Sequence, residues 1–78
     1  MRYLLVKALQ IFIFYPKDKS KPAFIIELKK NSTSEEALQQ IFDKRYDLAL
    51  KDYTGLKLAI GISYDYNLKN HSISIQQL

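Results

Sequence analysis

The chain has 78 residues and no cysteine, with 47% hydrophobic residues and 12 Lys and Arg against 8 Asp and Glu. That length holds one small domain with a modest core, and the missing cysteines exclude a disulfide framework and a thiolate metal site. A net charge of +4 permits contact with nucleic acid or another acidic surface without demanding it.

The first fourteen residues, MRYLLVKALQIFIF, carry a basic residue followed by apolar ones, as a signal peptide does. They lack a small-residue cleavage site, and Lys7 and Gln10 interrupt the apolar stretch, so the segment reads as a strand. Its most strand-like part is 8–15, ALQIFIFY, rich in β-branched and aromatic types. Pro16 and Pro22 then bracket five polar residues, which predicts a hairpin loop with Lys17, Lys19 and Lys21 at its tip. The second strand is AFIIELKK, 23–30. Its alternation puts Phe24, Ile26 and Leu28 on one face and Ile25, Glu27 and Lys29 on the other. One face is greasy throughout, whereas the other turns from apolar to charged.

The segment NSTSEEALQQIFDKRYDLALKDYTG reads as one long helix. Thr33 with Glu36, or Ser32 with Glu35, makes a capping box. Leu38, Ile41, Phe42, Tyr46, Ala49 and Tyr53 fall on one helical stripe, and Gly55 supplies a stop. LKLAIGISYDY alternates strictly, and the small residues Ala59 and Gly61 predict a face covered at close range. NLKN turns the chain into a last strand, HSISIQQL. The order is β-β-α-β-β. A helix long enough for a crossover makes the second and third strands parallel. Phe12, Phe14, Phe24, Ile26, Leu58, Ile60 and Ile62 are the candidates for the sheet's half of the core. The opposite face is expected to stay partly apolar and to favour self-association.

Chemistry is sparse. The lone His71 falls in a polar turn, the two glycines are isolated from any phosphate loop, and no His cluster has zinc spacing. Glu27-Leu28-Lys29 remains. A carboxylate can hold a hard divalent cation, and a lysine on the same strand face can stabilise charge on a phosphate. Lys17, Lys19, Lys21, Lys29, Lys30, Lys44 and Arg45 together form a loose basic surface if the helix packs beside the second strand.

The run KPAFIIELKK…SEEALQQIFDKRYDLAL…LKLAIGISYD resembles the PD-(D/E)xK nuclease superfamily. It looks most like the nuclease-like domain at the C-terminal end of a bacterial group of AAA-ATPase-like proteins. In that group a proline-bounded, lysine-rich loop leads into a strand ending Glu-x-Lys, followed by a helix with a Gln-Ile…Lys-x-Tyr pattern and an apolar strand with glycine. Here these are PKDKSKPAFIIELK, then Gln40-Ile41, Lys44 and Tyr46, then LAIGISY, together covering about residues 10–66. The resemblance implies a restriction-endonuclease-like α/β core with a mixed four-stranded sheet. It implies Glu27 as metal ligand, Lys29 as catalytic lysine and Gln40 as a residue positioning water or phosphate. For Tyr46, which lies on the apolar stripe, core packing is the expectation. It also implies magnesium as cofactor, DNA or RNA as partner and hydrolysis of phosphodiester bonds if the site is active.

One departure weighs against activity. The pattern calls for an acidic residue on the strand before Glu-x-Lys, and Gln10 stands about there, with no Asp or Glu before Asp18. The upstream helix that often carries a further acid is missing as well. The expectation is therefore a single domain over 1–78, a portion of a larger cytoplasmic protein, with a degenerate or incomplete nuclease site that binds magnesium weakly or not at all. The alternative is a catalytically inactive protein-interaction module beside an upstream ATPase-like domain. Homo-oligomers fit either reading; a membrane span fits neither, because no apolar run reaches the ~18–20 residues it needs.

Overall fold

The computed structural model describes residues 10–78. The part of the first-strand expectation that falls on residues 8 and 9 lies outside them. Four strands, β1 (Ile11–Phe14), β2 (Ala23–Lys30), β3 (Lys57–Asp65) and β4 (Asn70–Gln77), form one sheet in sequential order. β1 and β2 pair antiparallel around the Pro16–Pro22 loop, β2 and β3 pair parallel, and β3 and β4 pair antiparallel. The crossover between the parallel pair carries α1 (Ser34–Asp43) and a 3₁₀ turn (Tyr46–Leu50). The described residues thus form an α/β domain with a mixed four-stranded sheet and one α-helix on one face.

α1 starts where its capping residues place it. Thr33 is extended and its Oγ1 accepts from the Glu36 N–H at 3.0 Å. The reciprocal arm of the box is absent: the Glu36 carboxylate accepts from the Ser32 hydroxyl instead. Glu35 and Glu36 occupy the first turn, where the helix dipole favours negative charge.

The expected long helix breaks in two. Lys44 caps α1, and Arg45 adopts a left-handed conformation (φ 59°) before the 3₁₀ turn begins. No glycine or proline marks this point, so local propensity alone would have carried the helix on. The break turns the following segment so that Leu50 and Tyr53 are buried while Ala49 is exposed. Ala49 therefore leaves the expected stripe and Leu50 replaces it. Tyr53 is fastened to the hairpin loop, its hydroxyl donating to the carbonyl oxygens of Asp18 (3.0 Å) and Lys21. Burial leaves that phenol shifted above its ordinary pKa, with the negative field of Asp18 adding to the effect.

The core also uses the sheet face opposite to the one expected. Ala23, Ile25 and Ala59 pack with Ile41, Leu50 and Tyr53, and all six are buried. Phe24, Ile26, Leu58, Ile60 and Ile62 are only half-buried, Phe12 and Phe14 are exposed, and their registers place them together on the far side of the sheet. Backbone proximity explains the choice. A Cβ on Gly61 would lie 2.4 Å from both the Leu38 nitrogen and the Ser34 carbonyl oxygen. α1 comes so close to β3 that only small side chains fit beneath it, and Ala59 and Gly61 supply them. The close cover expected at these two residues is therefore the helix itself.

Polar bonds hold α1 at this angle. The Ser63 hydroxyl donates to the Ser32 carbonyl (2.9 Å), and the Ser34 and Ser74 hydroxyls bond to each other across 2.7 Å. Asn31, left-handed at φ 50°, donates its N–H to the Tyr64 carbonyl (2.8 Å), and its Oδ1 accepts from the Tyr66 N–H (3.0 Å). The β2–α1 turn is thereby tied to the end of β3.

Candidate functional site

The strand alternation of β2 carries Ala23, Ile25, Glu27 and Lys29 to the helix side of the sheet. Ala23 and Ile25 disappear into the core. Glu27, the next residue on that face, is only 4% exposed, and Lys29 stands at the rim. α1 runs over the same face, and Gln40, between its ends, reaches both. In the amide orientation that satisfies both neighbours, Gln40 Nε2 donates to Glu27 Oε2 at 2.6 Å and Gln40 Oε1 accepts from Lys29 Nζ at 2.7 Å. The three residues singled out in the sequence thus form one chain: carboxylate, amide, ammonium. A buried carboxylate without a partner is costly, and the amide supplies one.

This chain forms the wall of an open cleft of about 600 Å³, whose lining also includes Gln10, Lys30 and Lys44. Lys44 follows Gln40 by four residues, one helical turn along the same face. That spacing is legible in the sequence, in which Lys44 belongs both to the Gln-Ile…Lys-x-Tyr pattern and to the basic surface. The cleft therefore brings the Lys44 and Lys29 ammonium groups to one carboxylate, with Lys30 at its border. Burial raises the Glu27 pKa above its ordinary value, while Lys44 and then Lys29 pull it back down.

The expected surface of seven basic residues divides into two groups of three and a separate Arg45. Lys29, Lys30 and Lys44 share the cleft. Lys17, Lys19 and Lys21 lie beyond Phe14 and Phe24, at the closed end of the β1–β2 hairpin. From Phe24 to Lys29 the strand alone spans roughly 16 Å. Arg45 is exposed and faces Asp47 at 3.6 Å.

The position expected to hold a second acid is occupied by neutral residues. Ile11 is the direct partner of Glu27 in the β1–β2 register, and Gln10, whose carbonyl accepts from the Leu28 N–H at 2.8 Å, borders the cleft. Asp18 is at the hairpin tip, where its Oδ1 accepts from the Ser20 N–H (2.9 Å) and hydroxyl (2.7 Å), bonds that lower its pKa. Magnesium wants a shell of oxygen ligands in near-octahedral geometry. One carboxylate and two amides beside the Lys29 and Lys44 ammonium groups do not fit it. Among the described residues no group of three or more His, Asp and Glu side chains gathers anywhere, and residues 1–9 contain no acid.

Tyr46 is half-buried against the core, as its place on the apolar stripe suggests, and Lys44 Nζ stands 6.0 Å from its ring centroid. His71 is not in a turn. It is the second residue of β4, opposite Tyr64 in the register, and the two rings lie 4.8 Å apart.

Fold and site together define a small α/β domain in which a one-sided helix layer closes a cationic cleft at the open end of a hairpin. Comparison with protein-family models, with curated proteins and with solved structures finds no match to this chain. Among the described residues no helix is long and apolar enough to cross a membrane.

Proposed function

We propose that this chain is a nucleic-acid-binding module with the layout of a PD-(D/E)xK nuclease, in which the former catalytic cleft holds a backbone phosphate without cleaving it. The observation that carries this reading is the Glu27–Gln40–Lys29 chain beside Lys44 and Lys30. Gln40 occupies Glu27 Oε2 and steadies the Lys29 ammonium. The remaining donors of Lys29 and those of Lys44 face a cleft rich in positive charge, with Lys30 at its border. A phosphodiester offers the complementary anionic oxygens, and charge-assisted bonds of this kind are the strong ones. Cleavage by the metal-assisted route asks for a cation at Glu27, and the lysine-rich donor set disfavours one.

The test is binding of a fluorescently labelled oligonucleotide to the full chain across a salt series. Affinity should fall steeply as salt rises, and Lys44→Ala should both weaken binding and flatten the salt slope by about one released counterion. Binding insensitive to salt, or unchanged in Lys29→Ala and Lys44→Ala, overturns the proposal. Magnesium-dependent cutting abolished by Lys29→Ala would replace it with an active nuclease.

A second reading, a protein-interaction module, is favoured by the open sheet face, where Phe12 (42%), Phe14 (49%), Ile73 (60%) and Ile75 (61%) are all substantially exposed. Large apolar patches on a small domain mark interaction surfaces. A monomer in light scattering at high protein concentration counts against a second copy as the partner.

A further inference from the structure

A second cleft, of about 430 Å³, opens at the same end of the sheet as the first but on the other face. Its floor includes Leu28 and Ile62, and its rim carries Tyr64, Tyr66 and His71. The three rings form a connected group. Tyr64 meets Tyr66 edge-on at 4.9 Å between centroids (72°) and meets His71 at 4.8 Å. Tyr66 is 52% exposed, and Lys30 Nζ lies 5.8 Å from its ring centroid. The two clefts share Gln10, Leu28, Lys29 and Lys30 as common lining. Lys29 and Lys30 are consecutive strand residues and so belong to opposite faces. The end of β2 is therefore a cationic divide, with ammonium groups and a carboxylate on one side and aromatic rings on the other.

Few ligands need both halves at once. An apolar peptide would use the rings and leave the lysines unpaired. A free phosphate would use the lysines alone. A duplex keeps its bases stacked in its interior. A single-stranded nucleic acid has charged phosphates and unstacked bases along the same short stretch. Aromatic side chains accept such bases without regard to sequence, because every base has a π-face.

We propose that Tyr64, Tyr66 and His71 form a base-stacking subsite for single-stranded nucleic acid, whose adjoining phosphates are held by Lys29, Lys30 and Lys44. This inference rests on the phosphate-binding reading of the first cleft and adds the class of nucleic acid to it. Tyr66 is the principal platform because it is the exposed ring and the one beside Lys30. Tyr64, half-buried, supports it from the edge.

The experiment compares labelled oligothymidylate, an abasic deoxyribose-phosphate oligomer of the same length and a duplex, each titrated at low salt with the full chain and with Tyr66→Ala and Tyr66→Phe. Tyr66 contributes little to the core, and its hydrogen bond to Asn31 uses the backbone N–H, so both variants should fold. Oligothymidylate should bind on the order of tenfold more tightly than the abasic oligomer, and more tightly than the duplex. Tyr66→Ala should remove most of that difference while leaving abasic affinity and its salt slope unchanged, and Tyr66→Phe should retain it. Equal affinity for oligothymidylate and the abasic oligomer overturns the stacking subsite and leaves the phosphate reading standing. So does a duplex that binds as well as the single strand. A Tyr66→Ala loss shared equally by both oligomers also overturns it, because Tyr66 would then act through structure. Absence of binding by every oligomer overturns both readings.

Discussion

The two faces of the sheet differ in a way that their side chains do not advertise. The face under α1 is built from Ala23, Ile25, Ala59 and Gly61, then Glu27, Lys29 and Ser63. The face left open carries Phe24, Ile26, Leu28, Leu58, Ile60, Ile62 and the exposed Ile73 and Ile75. Among the described residues, the larger apolar surface is the one that no helix covers. Hydrophobicity alone ranks the faces the wrong way round, because a helix backbone can press onto a sheet only where the residues beneath are small. The lesson is that side-chain volume, as much as polarity, decides which face a helix takes.

Matched truncations on the two faces should separate them most sharply. Ile41→Ala, on the sheet-facing side of the helix and fully buried, should cost about 3 kcal/mol by denaturant unfolding. Ile75→Ala, on the open face and 61% exposed, should cost less than about 0.5 kcal/mol. Similar losses would mean that the open face is covered in solution.

Gly61→Ala is the next largest effect. Its Cβ would meet helix backbone, which cannot rotate aside as a side chain can, so we expect a loss of about 1–3 kcal/mol. The same displacement lifts Gln40 from Glu27 and Lys29, so nucleic-acid affinity should fall in variant protein that still folds. Ala59→Gly on the same face should not produce that binding defect.

Glu27 tests the polar part of the covered face. Its folded pKa is raised from the ordinary 4.5, so the native state holds this proton more tightly than the unfolded chain does. Stability from this group is therefore greatest at low pH and declines as pH rises from about 4.5 through the raised value. Glu27→Gln should flatten that part of the stability–pH curve. In the native protein, anion affinity should strengthen on acidification through the same range, because protonation removes the one negative charge in the cleft; a pH-independent affinity there would remove Glu27 from the site.

The smallest effect concerns the helix break. Arg45→Gly relieves a left-handed non-glycine residue but removes the guanidinium 3.6 Å from the buried Asp47 Oδ1, which is otherwise unpartnered among the described residues, and the two effects oppose each other. The net change should stay within about 1 kcal/mol of zero, measured as a shift in unfolding midpoint; a larger gain would mean that the Arg45–Asp47 contact contributes nothing.

Much of this was written in local sequence. The hairpin follows from two prolines around a polar loop, and the helix start follows from Thr33 and Glu36. The parallel β2–β3 pair follows from a crossover too long for a hairpin. The side shared by Glu27 and Lys29 follows from strand period alone, and Gln40 and Lys44 share a helix face by their spacing of four. Tertiary structure decided the rest. Nothing local stops a helix at Lys44. It ends there because burying Leu50 and Tyr53 requires the chain to turn, and packing outweighs the small propensity for continuing. Nothing local brings His71 beside Tyr64 either, since their contact depends on the β3–β4 register. The covered face was settled by how closely α1 approaches Gly61, a distance between backbones that no single residue encodes. That approach sets Gln40 against the two charged residues of β2 and turns a common Glu-x-Lys spacing into a bonded site.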